Sequence, residues 1–150
     1  MAFKVEKGLV SIATSYINGE YVYTKIDNFV AKDSLNITPD QMLDLDSGRN
    51  AKGVLKRNVL EHTASKIEFT TPYQDEDKLQ RLMNILRKGF SINDGKTVKK
   101  ERKARIRYYN EYTDDYSFGY FYNPNTTFNY ATTSSGKRYV NGTRFELIEY

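Results

Sequence analysis

The sequence predicts an α+β fold, a mostly antiparallel β-sandwich or barrel with one flanking amphipathic helix at about 74–88. Three observations lead there. Thirteen Tyr and eight Phe supply most of the apolar bulk, and aromatic and β-branched residues favour strands. Asn-Gly pairs at Asn18-Gly19 and Asn141-Gly142 are hairpin signals. A single stretch carries apolar residues at helical spacing: Leu79, Leu82, Met83 and Leu86 fall at i, i+3, i+4 and i+7 and form one stripe.

In chain order, Leu9–Ile17 and Glu20–Ile26 read as two strands joined by Asn18-Gly19. Asn28–Gln41 contains Asp33, Ser34, Asn36 and Pro39 and reads as a loop or broken strand. Asp46-Ser47-Gly48-Arg49-Asn50 has turn chemistry, with Gly48 and Gly53 as the glycines that allow it. Gly53–Leu60 is a basic strand candidate, and Lys66–Thr71 alternates with Ile67 and Phe69 on one face. Thr71-Pro72-Tyr73-Gln74 fits a capping box ahead of the helix, and Asp75 is a second possible start. Acidic residues 75–77 and basic residues 87–88 suit the two ends of the helix macrodipole, and Gly89 supplies a stop. Beyond the helix, Ala104–Tyr112 and Tyr116–Tyr122 read as paired strands, Thr132–Gly136 as a polar tip, and Phe145–Tyr150 as the last strand. The total is about eight strands and one helix in a single domain, residues 1–150.

The 150 residues are enough for one domain with a real core. There is no Cys, which excludes a disulfide framework and thiol chemistry. The first residues, MAFKVEKG, lack the apolar run of a signal peptide. No segment has the apolar length of a membrane span, so no membrane partner is expected. A net charge of +4 is too mild to name a nucleic-acid partner by itself.

Catalytic chemistry finds little support. His62 is the single histidine, and it lacks a Cys or a nucleophile-elbow Ser to activate. Asp44-Leu45-Asp46 begins like a calcium loop, but Gly48, Arg49 and Leu55 stand where Asp or Asn, Gly and Glu are needed. Asp114-Asp115 is better read as a turn, because strand neighbours point to opposite faces. No cofactor and no metal are expected. The charged concentration is Lys96–Arg107, KTVKKERKARIR, with seven basic residues followed by Tyr108, Tyr109 and Tyr112. Basic residues beside aromatics are the composition of single-strand nucleic-acid binders. Residues 93–103 also read as a solvated basic loop or hairpin, or as an arm that docks on an acidic surface of a partner.

The central block DLDSGRNAKGVLKRNVLEHTASKIEF, the following Thr71-Pro72-Tyr73 and the amphipathic helix resemble a family of small tail-region virion proteins. These are encoded by tailed bacteriophages and prophages of Gram-positive bacteria. Ile17-Asn18-Gly19 matches an N-terminal hairpin of that family. Asp46, Ser47, Gly48, Arg49, Asn50 and Gly53 match its D-S-G-R-N-x-x-G turn, and Phe145-Glu146-Leu147-Ile148-Glu149 its last strand. The resemblance covers about residues 17–150. It leaves 1–16 as an N-terminal extension and departs from the family pattern at 96–107.

The resemblance implies a tail-tube-like fold and a non-enzymatic structural role in a phage tail, as a tube, terminator, adaptor or baseplate-ring subunit. The implied partners are further copies in a ring, other tail or neck proteins, and nucleic acid as a genome passing through a lumen. The implied location is the virion, after assembly in the host cytoplasm. Candidate subunit-interface residues are Asp46, Arg49, Asn50, Lys99, Lys100, Arg102, Lys103 and Arg105. A nucleic-acid-binding module using 96–107 and the adjacent tyrosines is the alternative.

Overall fold

The computed structural model describes residues 5–42, 48–49, 51–56, 63–92 and 101–150. Seven strands form one antiparallel sheet in the order β2-β1-β8-β9-β12-β6-β3. They are β1 (Val10–Ile17), β2 (Glu20–Lys25), β3 (Asn36–Gln41), β6 (Ala64–Thr70), β8 (Lys103–Asn110), β9 (Asp115–Tyr122) and β12 (Arg144–Glu149). A three-stranded sheet joins β10 (Tyr130–Ser134), β11 (Lys137–Val140) and β7 (Gln74–Asp75), and β4 (Gly48–Arg49) pairs with β5 (Leu55–Lys56). The fold is α+β and mostly antiparallel, as expected. Among the described residues the main sheet does not close into a barrel, and β2 and β3 are its edges.

One face of the sheet carries the core. Ile12 and Val10 of β1, Ile106 and Ala104 of β8, Phe121 of β9, Leu147 and Phe145 of β12 and Ile67 and Phe69 of β6 are buried together. The helix α1 (Glu76–Ser91) lies over this face, chiefly against β1 and β8. Leu79, Leu82 and Leu86 are buried and Met83 packs against the same cluster, as the stripe predicts. Ile26 is part of the same buried cluster, and Phe29, Val30 and Leu35 pack against it.

The helix ends differ from expectation. Gln74 and Asp75 are held extended by pairing with Val140 and Tyr139. The helix therefore starts after Asp75, whose carboxylate accepts from Lys78 N–H at 3.0 Å. Thr71 is tied instead to Thr143, accepting from its N–H at 3.0 Å. Gly89 does not stop the helix, which runs to Ser91. A Cβ at position 89 would stand 2.4 Å from Ile12 Cγ2, so glycine here permits close contact of helix and strand.

Other boundaries move for local reasons. The strand expected at Leu9–Ile17 is β1, hydrogen-bonded on both sides within the sheet, so the N-terminal extension carries a strand of the main sheet. β3 accommodates Pro39 because it is an edge strand with a register shift after Thr38. Asn141-Gly142 is not a hairpin: β11 and β12 lie in different sheets. A Cβ at Gly142 would meet the Thr71 carbonyl at 2.8 Å.

Candidate interaction surface

The β1–β2 hairpin is built as its turn demands. Asn18 and Gly19 both have positive φ, 53° and 82°, which fits a tight turn with the twist of the strands. The β1 ladder to β8 runs from Val10 to Ile12, whereas its ladder to β2 reaches Ile17. The far end of the hairpin thus lies beyond the β8 ladder. A register shift between Ala13 and Ser15 re-aims the strand there. Tyr16 is 60% exposed, Ile17 56% and Val22 46%. Tyr16 opposes Tyr21, and Val22 opposes Ser15, so alternation puts apolar side chains on both faces of the hairpin end. The outer edge of β2 has no strand partner among the described residues.

The sheet face turned away from the helix carries a second feature. Lys103, Arg105 and Arg107 alternate with buried Ala104, Ile106 and Tyr108. Opposite them on β9 stand Tyr122, Tyr120 and Phe118. The Arg105 guanidinium lies 4.8 Å from the Tyr120 ring centroid, and that of Arg107 lies 5.0 Å from Tyr23 and 5.2 Å from Tyr116. Tyr21 and Tyr120 share a hydroxyl hydrogen bond of 2.9 Å. That bond, first among the causes, pushes the Tyr21 hydroxyl up to about 12. At the far side of this face, Arg144 bonds Glu68 and holds its carboxyl below the usual range.

A protein family described as Family of unknown function (DUF6711) matches residues 16–150. The chain belongs to it. None of the curated proteins compared matches the chain. Among solved structures, it is similar to one described as "Tail of empty GTA particle computed with helical refinement, C6 symmetry". The identity is 14% over 95% of this chain and 90% of that chain, with a TM-score of 0.45.

In this DUF6711 member, the expected site residues separate. Asp46, Asn50, Lys99 and Lys100 lie outside the described residues, as does His62. Arg49 pairs with Leu55 through its backbone, and Gly48 pairs with Lys56. Positive φ, 81°, falls at Gly53 between β4 and β5; Asp46, Ser47 and Asn50 of the expected turn lie outside the described residues. Arg102 is held within the subunit, donating from Nε to the Asn123 carbonyl at 2.7 Å and from a terminal nitrogen to Asn125 Oδ1 at 3.2 Å. Lys103, expected at the end of a projecting basic arm, stands in a central strand instead, and Arg105 lies in that strand as the reading of Ala104–Tyr112 expects. Sequence reasoning missed the hairpin end, although consecutive Tyr21-Val22-Tyr23 already carries apolar side chains to both faces of a strand.

An apolar groove of about 380 Å³ runs beside Leu35, Ile37, Tyr109 and Tyr112, with Glu111 as its acidic lining residue. Among the described residues, no three His, Cys, Asp or Glu side chains gather as a metal site. No described helix is long and apolar enough to cross a membrane.

Proposed function

We propose that this chain is a structural, non-enzymatic subunit of a bacteriophage tail that assembles into rings through its β1–β2 hairpin. The observation that carries the reading is the hairpin end, where Tyr16, Ile17 and Val22 are exposed beside an open strand edge. Exposed apolar residues on an unpaired edge invite pairing with another chain. One element seated on a different surface of the next copy is a heterologous contact, and such contacts form rings when the rotation between copies closes. The similarity of the 46–53 turn and of the last strand, Phe145–Glu149, to tail-region proteins supports the tail assignment. Partners under this reading are further copies and adjoining tail or neck proteins, and the location is the virion.

Light scattering on the parent and on the double variant Ile17→Lys, Val22→Lys tests it. The parent forms multimers with rising concentration. The variant stays monomeric with a melting temperature close to the parent's, because exposed positions contribute little to fold stability. A monomeric parent, or a variant that assembles like the parent, overturns the proposal.

A further inference from the structure

Lys103, Arg105 and Arg107 stand on β8, outside the exposed end of the β1–β2 hairpin. Lys103, Arg105 and Arg107 repeat along β8 at about 7 Å, two strand residues apart. Neither Arg105 nor Arg107 makes an ion pair among the described residues, and the Nε of each is buried without a hydrogen-bond partner. Arg107 does donate from a terminal nitrogen to Ser11 Oγ and the Lys7 carbonyl, both at 3.2 Å. Among the described residues the Arg105 guanidinium contacts rings, Tyr120 at 4.8 Å and Phe118 at 5.9 Å. A partly buried guanidinium without an anion is poorly compensated, since rings satisfy its charge but not its donors. Its remaining donors call for acceptor oxygens from outside the subunit.

The neighbouring rings say which anion fits. Phe118 is 48% exposed and leans on Tyr23 at 5.6 Å between centroids. Tyr150, at the other end of the row, is 51% exposed and packs on Tyr122 at 5.4 Å. An acidic peptide would satisfy the cations but offers no flat group to lie on the exposed part of Phe118, which Arg105 covers only at 5.9 Å. A duplex hides its bases, and a broad sheet face does not enter a groove as a helix does. A single strand offers both repeated phosphates and open base faces.

We infer that the outer face of β2-β1-β8-β9 binds single-stranded nucleic acid, with Arg105 on a phosphate and Phe118 as a stacking platform for a base. The inference does not rest on ring assembly, which uses the hairpin end.

The test is fluorescence anisotropy with a labelled oligo(dT) of about 15 nucleotides, sized to a single binding face, and a labelled polyglutamate peptide as the acidic-protein probe. The full chain binds oligo(dT) with a log–log salt slope of about −2, at about −0.7 for each of three phosphates. Arg105→Gln weakens binding and flattens the slope by about 0.7. Phe118→Ala weakens oligo(dT) binding about fivefold or more and leaves polyglutamate binding unchanged, while Phe118→Tyr restores the parent affinity and guards against misfolding of the alanine variant. Three results each overturn the inference: no oligo(dT) binding at low salt, no effect of both Arg105→Gln and Phe118→Ala, or polyglutamate bound as tightly as oligo(dT).

Discussion

Gly89 and Tyr109 show how single positions are fixed by their surroundings. On an exposed helix surface, Gly→Ala gains about 1 kcal/mol from helix propensity. At Gly89 the new methyl would stand 2.4 Å from Ile12 Cγ2, and overpacking of this kind costs about 1–3 kcal/mol. Gly89→Ala is therefore expected to lower stability in urea denaturation, and a rise would show that α1 does not press on β1. Tyr109 donates its hydroxyl proton to Asp114, and that bond, the largest cause, pushes the hydroxyl up to about 12. A folded value above the unfolded one means that the protonated form is favoured in the fold. The contribution is complete below about pH 10, the ordinary tyrosine value, and is lost as pH rises through about 12. Ultraviolet titration of the parent against Tyr109→Phe should show one late-ionising tyrosine disappear. If the high-pH portion of the curve is unchanged, the bond to Asp114 is not formed.

At the scale of elements, α1 is the part that was most readable from sequence, and its core is simple to test. Leu82 and Leu86 are buried, so Leu82→Ala or Leu86→Ala should each cost about 2–5 kcal/mol in denaturant unfolding. The periodicity that revealed the stripe could not place the first turn. Two candidate caps, Thr71 and Asp75, stand four residues apart, and tertiary pairing of Gln74 and Asp75 with β11 decides between them. β10 was invisible for a related reason: Tyr130-Ala131-Thr132-Thr133 has no apolar alternation, because it pairs on the outside of the molecule. Pro39 argued against a strand at 36–41 and would have been right in a central position. The strand at Ala104–Tyr112 is legible from its alternation, but the cationic face formed by Lys103, Arg105 and Arg107 is not, because the basic run reads as a projecting arm. The aromatic rows of β9 and β2 beside that face depend on register across strands far apart in sequence, which a single chain does not print.

For the whole molecule, the fold places two different surfaces on one sheet. The helix and the apolar residues of 26–35 pack on one face, the cationic and aromatic rows occupy the other, and the apolar hairpin end stands at an edge. The central claim is that the hairpin end is a subunit contact that closes into rings. Electron microscopy of the concentrated, negatively stained protein tests it most directly. Class averages should show closed rings of one diameter for the parent, and no rings for Ile17→Lys, Val22→Lys under the same conditions. A field of 17.5 kDa monomers at every concentration, or open fibres with no closed species, would contradict the account.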